Sequence, residues 1–176
     1  MKCVIFLMSL VLILLVSCSN AEIVNMQELK ITSNVFKHSA MIPSNYTCDG
    51  DDVNPPLIIE NIPETTKTLV LIVDDPDAPA GTWVHWVVWN IPVSSTTMKI
   101  KEYSKPGTQG INDFKEHNYR GPCPPSGTHR YFFKVYALDK ELSLSVNSTK
   151  KDVEEAMQGH ILAEGELIGI YTKERK

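Results

Sequence analysis

Residues 68–73, Thr-Leu-Val-Leu-Ile-Val, form an unbroken apolar and β-branched run. A short run with no polar alternation reads as a strand buried on both faces. It passes into Asp74-Asp75-Pro76-Asp77-Ala78-Pro79-Ala80-Gly81, a strongly turn-forming stretch. β-type sequence then resumes as Trp83–Ile91, WVHWVVWNI. Period two places Trp83, His85, Val87 and Trp89 on one face of that run. His129–Asp139 reads the same way, with His129, Tyr131, Phe133, Val135 and Ala137 on one face. Arg130, Phe132, Lys134, Tyr136 and Leu138 take the other. Glu28–Phe36, the short run Leu57–Ile62 and Leu167–Thr172 supply further strands.

One segment reads as helix. Thr149 is its N-cap and Asp152 the acidic capping partner. Val153, Ala156, Met157, His160 and Ile161 then form one stripe at helical spacing, and Gly165 closes the region. Strands dominate, so the pattern predicts a mostly β chain, an antiparallel β-sandwich or barrel-like architecture. No repeat or interdomain linker breaks it.

Composition fits a folded domain. Of 176 residues, 43% are apolar and 22% charged, and the net charge is −4. Mild acidity excludes the basic face of a nucleic-acid binder. No Lys/Arg run exceeds two residues, which excludes a polybasic membrane patch.

The first 17 residues, MKCVIFLMSLVLILLVS, are set apart. Their apolar run is shorter than the roughly 20 residues that span a bilayer. It fits the core of a secretory signal. Leu15-Val16-Ser17-Cys18 resembles the lipobox of bacterial lipoproteins. In such signals the peptide is cut before the Cys, whose thiol is lipidated. An ordinary signal cut after Ala21 and a retained transmembrane anchor are the alternatives. The lipobox reading gives a signal peptide at 1–17, a tether at 18–28 and a domain at 29–176. Two acyl chains on Cys18 suffice for stable anchoring, whereas one is marginal. Cys48 and Cys123 are then the only thiols in the domain, and whether they pair stays open.

Two long loops, 43–56 and 104–128, are of a length that is usually functional. Near them lie Asp75, Asp77, His85 and His129. Each has a plainer role available. The two Asp carboxylates can cap backbone N–H groups of the turn. His85, among three Trp, can be a structural histidine, and His160 can pack on the helix stripe. Arg130 suits a buried salt bridge to Asp75 or Asp77. Two His and one Asp could bind a metal, but no spacing points to it. A hydrolase needs a nucleophile beside a His, and no G-x-S-x-G is present; Ser126 and Cys123 are merely near His129 in sequence. Imidazoles, a Tyr hydroxyl and loop N–H groups could instead make a small anion site.

Asp75-Pro76-Asp77-Ala78-Pro79 with Gly81-Thr82-Trp83-Val84-His85-Trp86 resembles one signature of the phosphatidylethanolamine-binding protein family, also called Raf-kinase-inhibitor-like. Gly121-Pro122-Cys123-Pro124-Pro125-Ser126-Gly127-Thr128-His129-Arg130-Tyr131 resembles the second. Cys48-Asp49-Gly50 and Asn54-Pro55-Pro56 are similar to its bacterial branch. The resemblance runs from about Phe36 to Tyr171. It implies a β-sandwich-like fold with a large central antiparallel sheet and few short helices. It also implies an anion pocket of Asp75, His85, Pro122, His129 and Tyr131, walled by the loop that starts at Gly121. Asp77 and Arg130 would support the loops behind it. No cofactor and no resident metal are implied.

The resulting expectation is an exported, lipid-anchored binding protein of the cell envelope rather than an enzyme. Its partners would be a small phosphate- or carboxylate-bearing ligand and the membrane through Cys18, with no nucleic acid. An inhibitor-like interaction protein acting on a kinase or protease is the alternative, and a metal-assisted hydrolase the third.

Overall fold

The structure, a computed structural model, describes residues 27–173. The expected signal peptide, Cys18 and the tether up to residue 26 lie outside the described residues. In chain order the strands are β1 (Gln27–Glu28), β2 (Lys30–Thr32), β3 (Ala40–Met41), β4 (Leu57–Glu60), β5 (Thr68–Asp75), β6 (Trp83–Pro92), β7 (Met98–Ile100), β8 (Thr108–Gln109) and β9 (Thr128–Leu138). Helix α1 (Lys150–Met157) and strand β10 (Ile161–Thr172) complete the chain.

The chain is mostly β, built round a seven-stranded sheet in the order β1-β10-β9-β5-β6-β8. Its long strands pair antiparallel, and the short β1 and β3 add parallel to β10. A second, three-stranded sheet has the order β2-β4-β7. Between the sheets lies a core that includes Ile31, Leu57, Ile59, Leu71, Val73, Trp86, Phe133 and Leu167. On the other face of the large sheet, Val70, Ile72, Val87 and Trp89 pack against Leu142 and against Val153 and Met157 of α1. β5 is therefore covered on both sides along its whole length, as its unbroken apolar run requires. Each such side chain contributes about 1.5–3 kcal/mol on burial.

The expected first strand divides in two. Gln27 and Glu28, assigned to the tether by composition, pair with β10, while Lys30–Thr32 pair with β4 in the other sheet. Leu29 sits at the crossing, buried against Gly165. Gly165 does not close a helical region; it lies inside β10. A Cβ there would collide with the Leu29 carbonyl, so the chain crosses between sheets over a residue that has none.

The helix is shorter than its stripe predicts. The capping box of Thr149 and Asp152 forms, and Val153 and Met157 are buried. The helix then stops at Met157, because Gly159 adopts φ +76° and turns the chain into β10. His160 is therefore not on the stripe; its ring nitrogen bonds Asp139 at 2.9 Å. Ile161 already pairs with Leu138, so β10 begins well before Leu167.

Alternation also breaks within β6. The register against β5 shifts between the pairs Val73↔Trp86 and Asp74↔Val84, leaving His85 as the extra residue of a β-bulge. The bulge turns His85 toward Tyr131, away from the side taken by Val87 and Trp89. This overturns the single face predicted for Trp83, His85, Val87 and Trp89. A bulge re-aims the side chains that follow it, and bulges concentrate beside functional sites.

Candidate functional site

β5 ends in two carboxylates that serve opposite faces of the sheet. Asp74 is fully buried and paired with Lys134 of β9 at 2.9 Å and with Lys150 of α1. Burial alone would lower the Lys150 pKa, but its bonds to Asp74 outweigh that and raise it. Asp75 faces the other way. Its Oδ1 accepts the Asp77 N–H at 2.8 Å, an Asx turn that shapes the 75–81 connection. Its Oδ2 accepts His129 Nδ1–H at 2.7 Å. That bond orients the imidazole and leaves Nε2 as its second polar atom.

Asp77 clasps the start of β9. It accepts the Arg130 backbone N–H at 3.0 Å, Nε at 2.9 Å and Nη2 at 2.7 Å. Those bonds to Arg130 hold the Asp77 pKa down, at about 2. The sequence reading placed Arg130 in a buried salt bridge. The partner is indeed Asp77, but the Arg130 side chain is 54% exposed. The edge position of Thr128–Arg130 beyond the core leaves the guanidinium in water. Such a pair contributes little energy, and its value is in fixing the turn against β9.

His85 is 3% exposed and donates Nδ1–H to the Arg120 carbonyl at 2.6 Å. The rings of Phe114 and Tyr131 meet it edge-on, each 5.3 Å away between centroids. Burial pushes its pKa down, opposed by the Arg120 carbonyl and by the charges of Asp75, Asp52 and Asp74. An unfolded chain takes up a proton at the ordinary His value of 6.5, whereas the native state resists it. Stability is therefore expected to fall as pH drops below 6.5. Denaturant unfolding at about pH 7.5 and about pH 5.5 measures this. A His85→Asn variant keeps a donor for Arg120 and cannot titrate, so its pH dependence should be flatter. An unchanged dependence would assign the effect to other groups.

Tyr131, from the face of β9 shared with His129, is fully buried; its hydroxyl makes no well-aligned hydrogen bond, and the polar groups within reach of it are the Asp75 carboxylate and the Cys123 backbone. Burial, then the nearby Asp75 charge, raises its pKa, so it remains a neutral hydroxyl. A buried polar atom without a partner costs about 1–3 kcal/mol and calls for an explanation.

The opposite wall is the 121–125 segment. Gly121 donates its N–H to Asp52 at 2.6 Å, in a position where a Cβ would run into the Tyr46 carbonyl. Cys48 donates its backbone N–H to the Pro122 carbonyl at 3.1 Å. The side chains of Cys48 and Cys123 form a disulfide, with Cα atoms 5.4 Å apart, which answers the question the sequence left open.

These walls enclose a cleft of about 280 Å³. Asp75, His85 and Tyr131 line it, with Trp83, Phe114 and Cys123. Two of the expected five residues stand behind that lining. His129 is 7% exposed and joins the cleft through Asp75. Pro122 is buried, with its carbonyl committed to Cys48. The sequence reading did not single out Trp83 as a site residue or Phe114 at all. The face that period two gave Trp83 together with His85 was the signal that could have found Trp83. Phe114 comes from an irregular loop with no periodicity to mark it. Among the described residues, no group of three or more His, Cys, Asp or Glu is arranged to hold a metal ion. Both Asp75 oxygens are engaged by N–H donors, so the geometry gives the metal-assisted reading no support.

Comparison with known proteins places the chain. The family model described as phosphatidylethanolamine-binding protein matches residues 32–172. A UPF0098 protein of Pyrococcus abyssi is 51% identical over 155 residues, covering 84% of this chain and 87% of the relative. A UPF0098 protein of Methanothermobacter thermautotrophicus is 47% identical over 150 residues, covering 82% of this chain and 99% of the relative. Among solved structures, a phosphatidylethanolamine-binding protein homolog from Chlamydia trachomatis is 40% identical with a TM-score of 0.79. That match covers 84% of this chain and 99% of the homolog. YBCL of E. coli, a member of the mammalian PEBP family, is 30% identical with a TM-score of 0.75, covering 84% of this chain and 99% of that one. The chain belongs to the phosphatidylethanolamine-binding protein family.

Proposed function

We propose that the chain binds a small phosphate- or carboxylate-bearing ligand in the cleft at the His129 end of the central sheet, and that it does so as a binding protein rather than an enzyme. The buried hydroxyl of Tyr131, which makes no well-aligned hydrogen bond, carries this reading. A ligand oxygen at that point would satisfy it. His85 stands edge-on beside it, and Asp75 holds His129 in a fixed orientation behind. The family to which the chain belongs supports the same reading.

Tyr131→Phe separates ligand binding from packing. Deleting an unsatisfied hydroxyl should leave the ligand-free protein as stable or more stable, by about 1 kcal/mol. A hydrogen bond to a charged group contributes about 1.5–3 kcal/mol, so affinity for methyl phosphate should fall at least tenfold. Calorimetric titration and thermal unfolding of both proteins read the two effects. Saturable binding that Tyr131→Phe leaves unchanged would remove Tyr131 from the site. No binding in either protein would favour the inhibitor-like interaction reading.

We also propose that Cys18 carries the acyl chains that hold the protein at the cell envelope. The supporting feature is the Leu15-Val16-Ser17-Cys18 sequence. Intact-mass spectrometry should find a mature chain beginning with lipidated Cys18, and Cys18→Ser should remain unprocessed. A mature N-terminus at Ser19 or beyond, with no lipid mass, would overturn this.

A further inference from the structure

We propose that the cleft selects an oxyanion that still carries a proton, a monoprotonated phosphate monoester or phosphonate, over a fully ionised dianion such as sulfate. The inference rests on the anion-binding reading above and specifies the protonation state of the ligand.

The first observation is the fixed polarity of His85. Its Nδ1–H is committed to the Arg120 carbonyl at 2.6 Å, and a carbonyl can only accept. In the neutral ring, Nε2 is then a lone-pair acceptor, and among the described residues it makes no hydrogen bond. His85 lines the cleft, so that lone pair is the polar atom it has left for a ligand.

The second observation is Tyr131. Its hydroxyl makes no well-aligned hydrogen bond, with the Asp75 carboxylate and the Cys123 backbone within reach, and it can turn to donate to a ligand. Together the two side chains offer one donor and one acceptor, matching a P–OH group beside a P–O⁻ or P=O oxygen. Sulfate at neutral pH has acceptors only. It would leave the Nε2 lone pair facing a lone pair, and a buried mismatch of that kind is costly. Sites that must pair a ligand proton discriminate strongly against analogues that lack it.

The third observation is charge. The cleft lining contains no Lys or Arg, and its one carboxylate is Asp75. The Arg120 guanidinium lies over the Phe114 ring and pairs with Asp52 at 3.3 Å, and the Lys173 ammonium sits outside the lining, 3.5 Å from Cys123 Sγ. The groups that face His85 are thus Tyr131 and Phe114 at ring contact, the Arg120 carbonyl, and the carboxylates of Asp75, Asp52 and Asp74 acting at longer range. His129 stands behind Asp75. A second negative charge on the ligand therefore has no lining cation to meet, and a monoanion suits the cleft better. Burial keeps His85 neutral, which strengthens the same preference.

The test uses methyl phosphate and sulfate as probes of the intact protein. A phosphate monoester loses its second proton near pH 6. Methyl phosphate affinity should fall about tenfold per pH unit above that point, as its monoanion disappears. Near pH 6 sulfate should bind at least tenfold more weakly than methyl phosphate. In His85→Gln the amide can turn to donate or accept, so the preference should collapse toward parity. In Tyr131→Phe both anions should weaken while the preference persists, which keeps the proposal testable if His85→Gln fails to fold. Equal affinities for the two anions in the wild type would overturn the protonation preference and leave an anion site standing. Binding of neither anion would overturn the anion site itself.

Discussion

Reduction of the Cys48–Cys123 disulfide is expected to lower the free energy of unfolding by about 4 kcal/mol. The bridge closes a sequence separation of 75 residues. Chain-entropy arguments give about 3 kcal/mol for a 15-residue loop and about 4.7 for a 100-residue loop, and this one falls toward the upper end. That is a large share of the 5–15 kcal/mol that holds a typical domain together. The native contacts around the bridge would survive its loss. Cys48 N–H still reaches the Pro122 carbonyl, and Tyr171 still bonds Asp49 at 2.6 Å. The effect therefore acts chiefly through the unfolded chain. Denaturant unfolding of the oxidised protein and of a Cys48→Ser, Cys123→Ser double variant measures it. A difference under about 1 kcal/mol would show that the loops are held without the bond. Because Cys123 lines the cleft, the same variant should also bind methyl phosphate more weakly.

The strand and sheet layers were legible because burial writes itself as hydropathy. The run at 68–73 could only be covered on both sides, and the alternation of 129–138 assigned Tyr131 and Phe133 to one face and Tyr136 and Leu138 to the other. What periodicity could not show was where it fails. The bulge at His85 leaves no mark in composition, yet it moves His85 to the face of Tyr131. One glycine of β10 misled for a related reason. Gly165 reads as a terminator, while its role is to let Leu29 lie against the strand, a tertiary contact invisible in one dimension. His160 matched the helix stripe by spacing alone, and the left-handed Gly159 removes it.

Of the candidate site, the Asp77–Arg130 clasp corresponds to a pairing the sequence reading considered. The family resemblance named the residues. Their chemistry needed coordinates: the Arg120 carbonyl that fixes the His85 tautomer lies 35 positions away in sequence. The Phe114 wall likewise follows from the path of the 104–128 loop, which β8 ties back to β6.

Exchanging the adjacent carboxylates of β5 one at a time should give opposite phenotypes. Asp74 is fully buried on the helix side, between Lys134 and Lys150. Asp74→Ala strands two ammonium groups that are 26% and 19% exposed. Losing one partner of a buried pair costs about 3–5 kcal/mol, and access to water for both lysines places this case near 3. Two contacts that fasten α1 and β9 to the end of β5 go with it, while the cleft side of the strand is untouched. Unfolding free energy should fall by that amount, and methyl phosphate affinity should stay near the wild-type value. Asp75→Asn reverses the pattern. The carboxylate accepts two N–H bonds, from Asp77 and from His129. An amide has one acceptor oxygen and one donor nitrogen, so it can keep only one of them. Keeping the Asx turn turns an NH₂ toward His129 Nδ1, which forces the proton to Nε2 and changes what the ring offers. Affinity should drop about tenfold, for a stability cost nearer the 1 kcal/mol of a single hydrogen bond. Paired measurements of unfolding and of methyl phosphate titration decide the matter. If Asp75→Asn unfolds the protein more readily than Asp74→Ala and binds as well as wild type, then Asp75 holds the turn rather than the site.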